Sequence, residues 1–130
     1  MSRSVVIDTN VFSYLYKGDT RAASYASHLI GAQPHLSFAT VAELYHWAVH
    51  RGWAQRQMER LQAAIAKYAV LHSDDETAFE WARVMSLKGR PMAHGEAWVA
   101  AVALRHGMPL VTHNRKHFEG IPGLSVISEA

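Results

Sequence analysis

Short apolar runs, each spaced from the next by a segment of helical periodicity, constrain this chain more than any other feature. Ser4-Val5-Val6-Ile7 is a nearly continuous apolar run, as expected for a strand buried on both faces. His35-Leu36-Ser37-Phe38, Ala69-Val70-Leu71, Pro109-Leu110-Val111-Thr112 and Leu124-Ser125-Val126-Ile127 read as four further strands. Helical spacing fills the intervals. A helix is expected over 9–17, stopped by Gly18, and a second over 21–30, stopped by Gly31. Val41, Leu44, Tyr45, Ala48 and Val49 recur at helical spacing over 39–50, and 55–67 is helical by pattern. Asp74-Asp75-Glu76 places negative charge where it complements the start of a helix running to about Lys88. Gly89-Arg90-Pro91 breaks the chain, and an alanine-rich helix covers 97–106 up to Gly107. Strands alternating with helices predict an α/β fold with a mostly parallel sheet covered on both faces. Such sheets carry their sites at the carboxyl ends of the strands.

The 130 residues fit a single domain, 1–130, with no repeat, low-complexity tract or long linker. The chain has no cysteine, which removes disulfides, thiolate metal sites and cysteine nucleophiles. No apolar run is long enough to span a bilayer, and Met1-Ser2-Arg3-Ser4 leads into a strand rather than a signal peptide, so a cytoplasmic protein is expected. Net charge is only +2, but Arg105, His106, His113, Arg115, Lys116 and His117 gather with no acid over 97–118. Such a cluster either attracts a phosphate backbone or forms a solvated basic surface.

Four oxygen-bearing side chains occupy the places where such a fold gathers its chemistry. Asp8 follows the first strand, where an N-cap role is the plain alternative. Glu43 lies one turn into an otherwise apolar helix, where it either faces solvent or needs a partner. Glu96 opens the alanine-rich helix, and Asn114 follows the strand ending at Thr112. Several carboxylates in one cleft repel each other and are best tolerated around a hard cation. Oxygen donors without cysteine favour Mg²⁺ or Mn²⁺, and such a site suits phosphodiester hydrolysis.

Val5-Val6-Ile7-Asp8-Thr9-Asn10-Val11-Phe12 resembles the opening motif of PIN domains. Ala39-Thr40-Val41-Ala42-Glu43-Leu44, Glu96-Ala97-Trp98-Val99-Ala100-Ala101, Pro109-Leu110-Val111-Thr112-His113-Asn114 and the trailing His117-Phe118 with Ile121-Pro122-Gly123-Leu124 follow the family's pattern in order. The resemblance implies a three-layer α/β/α sandwich and a Mg²⁺-dependent ribonuclease, with Mn²⁺ as substitute, similar to the VapC toxins of toxin–antitoxin pairs. It implies an acidic pocket of Asp8, Glu43, Glu96 and Asn114, with Asp8, Glu96 and Glu43 holding metal. Thr112, Thr9 and Asn10 would support that pocket, and Arg115 and Lys116 would hold the RNA backbone. It further implies a homodimer and a VapB-like antitoxin partner. The family carries aspartate where this chain has Glu96, which moves the carboxylate out by one methylene. That departure supports a second reading, a catalytically weakened module that binds RNA or protein. A third reading takes the Glu-x-x-His of Glu43 and His46, or His113 with His117, as zinc or iron ligands, without the second motif copy or adjacent glutamate those sites need.

Overall fold

The computed structural model describes residues 3–130; Met1 and Ser2, where the reading of the N-terminus begins, lie outside the described residues. Twelve elements follow in chain order: β1 (Arg3–Ile7), α1 (Thr9–Lys17), α2 (Ala22–Leu29), β2 (Ala32–Ser37), α3 (Phe38–His50), α4 (Gln55–Ile65), β3 (Ala69–Leu71), α5 (Asp75–Met85), α6 (His94–His106), β4 (Leu110–Val111), α7 (Arg115–Phe118) and β5 (Val126–Ile127). The five strands form one sheet in the order β3-β2-β1-β4-β5, and every pairing is parallel. The expected α/β class and covered parallel sheet are what the structure shows.

Alternation along β1 divides the core. Val5 and Ile7 point to one face, where Val11, Phe12, Tyr25, Leu44, Ala48, Leu61 and Ile65 from α1–α4 pack. Val6 points to the other, with Val84, Phe118, Ile121 and the buried side of α6. Ala97, Ala100, Ala101 and Ala103 are buried there, and their small side chains let α6 lie close against the sheet. These are the three layers of an α/β/α sandwich.

Several boundaries differ from the sequence reading for local reasons. β2 begins earlier, at Ala32, and runs through Pro34. Pro34 has no N–H to donate, but β3 pairs only from His35 onward, so no ladder partner is lost on that side. Phe38 belongs to α3 because Ser37 Oγ accepts the Ala39 N–H at 3.0 Å and starts the helix. α5 stops at Met85, where the Ser86 hydroxyl donates to the Ala82 carbonyl at 2.7 Å. α1 ends as expected, with Gly18 at φ 67° returning its N–H to the Tyr14 carbonyl.

Candidate functional site

Strand order reverses at β1: β2 and β3 lie to one side, β4 and β5 to the other. In an open parallel sheet the crevice beyond the strand ends at such a reversal is the natural place for a site. Asp8 stands at this reversal. Its N–H continues the ladder to the Val111 carbonyl at 2.9 Å, and its own carbonyl accepts the Phe12 N–H at 3.1 Å. Its carboxylate caps α1, Oδ1 accepting the Thr9 N–H at 2.8 Å and Oδ2 the Thr112 hydroxyl at 2.8 Å. The capping role and the site position therefore coexist. Asp8 is only 6% exposed, and burial holds its carboxyl above the usual carboxylate range. The Thr112 and Thr9 hydrogen bonds oppose that shift, and the charge of Glu96 adds to it.

Glu43 projects from the second turn of α3. Desolvation raises its pKa first, followed by the charges of Asp8 and Glu96, with the Thr9 hydroxyl opposing. Glu96 lies in the first turn of α6, which starts three residues earlier than its apolar pattern, at His94. Its Oε2 meets His117 Nδ1. The fold thus brings Asp8, Glu43 and Glu96 into one electrostatic environment, as the upward shifts of Asp8 and Glu43 record. Among the described residues none of the three pairs with a lysine or arginine; His117 is their one ion-pair partner.

Of Thr112, Thr9 and Asn10, the Thr112 hydroxyl and the Thr9 N–H bond to Asp8, whereas Asn10 bonds elsewhere. Thr112, fully buried, donates to Asp8 and accepts the Asn114 N–H at 3.0 Å. The Thr9 hydroxyl donates to Thr40 Oγ1 at 3.1 Å, which ties α1 to α3. Asn10 Oδ1 accepts the His113 N–H at 3.2 Å and ties α1 to the loop after β4. Asn114 is exposed at the start of α7, and its side chain makes no cap hydrogen bond there. The Arg115 guanidinium donates to the Ser128 carbonyl at 2.8 Å, so it anchors the C-terminal segment, while Lys116 is exposed beside Glu96 and His117. Neither Tyr14 nor Tyr16 lines the acid cluster: Tyr16 stacks on Phe12, and Tyr14 meets Tyr25 and His113.

The two histidines four residues apart diverge. His113 Nδ1 lies 2.5 Å from the Tyr25 hydroxyl, whereas His117 turns to Glu96. His46 faces the groove beside Glu43 rather than a second acid. Sequence reasoning did not place His117 at the site. The available signal was its position three residues beyond Asn114 in a basic stretch, but its partner Glu96 is 21 residues away and only the fold joins them.

The PIN domain profile matches residues 5–124. The chain belongs to the PIN domain family. This PIN domain is 28% identical over 124 residues to a protein called Ribonuclease VapC1 from Haemophilus influenzae (strain R2866), covering 92% of each chain. Among solved structures it is similar to the VapBC2 complex of Rickettsia felis bound to a promoter DNA fragment, with TM-score 0.84, 18% identity and coverage of 98% of this chain and 99% of that one. It is also similar to a toxin–antitoxin complex from Klebsiella pneumoniae, with TM-score 0.75, 25% identity and coverage of 95% and 96%.

The donor set suits a hard divalent cation: Asp8 and Glu43, whose carboxyls burial and neighbouring carboxylate charge push above their ordinary values, stand with Glu96, and no thiolate is among them. Among the described residues no three histidine or acidic side chains stand close enough together to hold an ion unaided. Protein carboxylates that keep water and substrate oxygens in the remaining positions are the usual arrangement for Mg²⁺.

Proposed function

We propose that this PIN domain is a metal-dependent ribonuclease, the toxin of a VapBC-type pair, with Asp8, Glu43 and Glu96 as its metal-holding residues. The observation that carries the reading is that Asp8, Glu43 and Glu96, none of them paired with a lysine or arginine among the described residues, share one electrostatic environment where the strand order reverses, in a chain of this family. A divalent cation, Mg²⁺ with Mn²⁺ as substitute, would acidify the attacking water and offset charge on the phosphate and leaving oxygen.

The chain's own groups do the rest. Asp8 is fixed by the Thr9 N–H and the Thr112 hydroxyl, so its carboxylate presents one orientation. Glu43, at the mouth of the groove between α1 and α3, takes the proton from the attacking water at its carboxylate. His117 positions Glu96. Lys116 faces the phosphate backbone, and Asn114 holds water at the rim. The partners that follow are an RNA strand, a VapB-like antitoxin and a second copy of the chain, in the cytoplasm. No helix among the described residues is long and apolar enough to cross a membrane.

The test is incubation of total cellular RNA with the purified, antitoxin-free protein in EDTA, in Mg²⁺ and in Mn²⁺, alongside Asp8→Asn. Cleavage that requires metal and disappears in Asp8→Asn supports the reading. Binding of RNA with no cleavage under any metal, and none restored by Glu96→Asp, turns it to the binding-only alternative.

A further inference from the structure

Glu43 and Trp47 in α3 and Arg51 at its C-cap recur at i, i+4 and i+8, which sets them in one row about 12 Å long on a single helix face. Opposite them, Lys17 closes the last turn of α1. The Lys17 Nζ lies 4.4 Å from the Trp47 ring centroid and the Arg51 Cζ 4.6 Å from it. Both cations are exposed, and among the described residues neither forms an ion pair with a carboxylate. The indole holds them in place: a cation over a tryptophan face gains an attraction it would lack on a free surface. Trp47 is itself braced by Trp53, 5.0 Å away.

Between α1 and α3 runs a groove of about 350 Å³. It begins at Thr9 and Glu43, at the edge of the acid cluster, and reaches Lys17, Trp47 and Arg51, with His46 and His50 along it. Glu43 is the one acid in its lining. On the opposite side of the cluster, a cavity of about 300 Å³ is lined by Glu96, His117 and Lys116. Positive side chains therefore flank the acids on both sides.

We propose that the groove between α1 and α3 is the track for the RNA strand on one side of the scissile phosphate, a flanking phosphate being held by Lys17 and Arg51 where Trp47 positions them. The proposal rests on the ribonuclease reading and adds to it a direction for the strand. Cations held in advance beside the reacting position neutralise phosphates without the cost of ordering two long side chains on binding. A single strand fits better than a duplex, because the His46 and His50 imidazoles along the groove offer faces to unstacked bases.

The test is equilibrium binding of a fluorescent twelve-nucleotide single-stranded RNA to the Asp8→Asn protein without metal, across a salt series. Combining Lys17→Gln with Arg51→Gln is expected to weaken binding at least tenfold at ~0.1 M salt and to lower the log–log salt slope by about 1.4, as two lost phosphate contacts require. Each single substitution should lower the slope by about 0.7, which keeps the test decisive if the double variant fails to fold. Lys17→Arg with Arg51→Lys should bind within about threefold of the parent. An unchanged slope in the neutral variants overturns the proposal. So does a variant that keeps RNA and instead loses poly-glutamate, which would assign the groove to an acidic polypeptide. A wild type that cuts no RNA removes the ribonuclease reading; a wild type that cuts, with the salt slope unmoved by the variants, removes the groove alone.

Discussion

Thr112 donates its hydroxyl to Asp8 Oδ2 at 2.8 Å while accepting the Asn114 N–H at 3.0 Å, so one buried oxygen couples the first strand to the loop after the fourth. Replacing it tests how far the site depends on that link. Thr112→Val keeps the shape and removes both bonds, leaving a buried carboxylate oxygen short of a donor. The expected cost is about 1–3 kcal/mol of folding stability by urea denaturation. Thr112→Ser should retain most of it. A loss in Thr112→Ser with none in Thr112→Val would mean that the methyl group, not the hydroxyl, matters.

Asp8 also sets a pH dependence. Its carboxyl titrates above the ordinary aspartate value because of burial, first of all, and the neighbouring charge of Glu96; Glu43 shifts the same way. The folded state therefore keeps a proton that the unfolded state has already released. The stability these groups contribute is fully present below the unfolded pKa and is lost as pH rises through the folded one. The expected outcome is that wild-type stability falls with rising pH across this window relative to Asp8→Asn, which is more stable than wild type at neutral pH without metal. Two parallel stability–pH curves would contradict the assignment.

His117 meets Glu96 across 21 residues of sequence. Partners that orient a metal-holding side chain are commonly worth about 10–100-fold in affinity or activity. His117→Ala should lower Mn²⁺ affinity and RNA cleavage by that order, with His117→Gln, which keeps a donor, recovering part. A rise in affinity in His117→Ala would show that the pair restrains Glu96 rather than positions it.

Ala100 is fully buried on the side of α6 that faces the sheet. Ala100→Leu overfills that layer, and thermal and urea unfolding should report a loss of about 1–3 kcal/mol. A neutral effect would mean the layer has slack that the packing does not show.

Much of this arrangement was legible in the sequence because local and global signals agreed. The Val5-Val6-Ile7 run gave a central strand, and Asp8 with Gly18 marked both ends of α1, since a capping acid and a left-handed glycine act locally. Asp8 and Glu96 could each be placed at an element boundary and Glu43 one turn into the helix after the second strand, and the parallel order of strands gathers such positions at one end. Other features needed the fold. α7 spans four residues, too short for any periodicity to mark. The first turn of α6 was hidden because Gly95 is a poor helix former and the apolar pattern starts only at Ala97. Arg115 reads as a surface cation, yet its guanidinium is engaged by Ser128, a contact made when the C-terminal segment folds back. The Lys17–Trp47–Arg51 cluster joins α1 to the end of α3 across the intervening α2 and β2, and no spacing within either helix announces it.

If Asp8, Glu43 and Glu96 act as one metal site, each must contribute to holding the ion. Calorimetric titration of Mn²⁺ into the wild type and into Asp8→Asn, Glu43→Gln and Glu96→Gln measures that contribution. Saturable binding to the wild type is expected, weakening on the order of tenfold or more in each variant, with Asp8→Asn the most affected. Equal Mn²⁺ affinity in the wild type and all three variants would contradict a shared site.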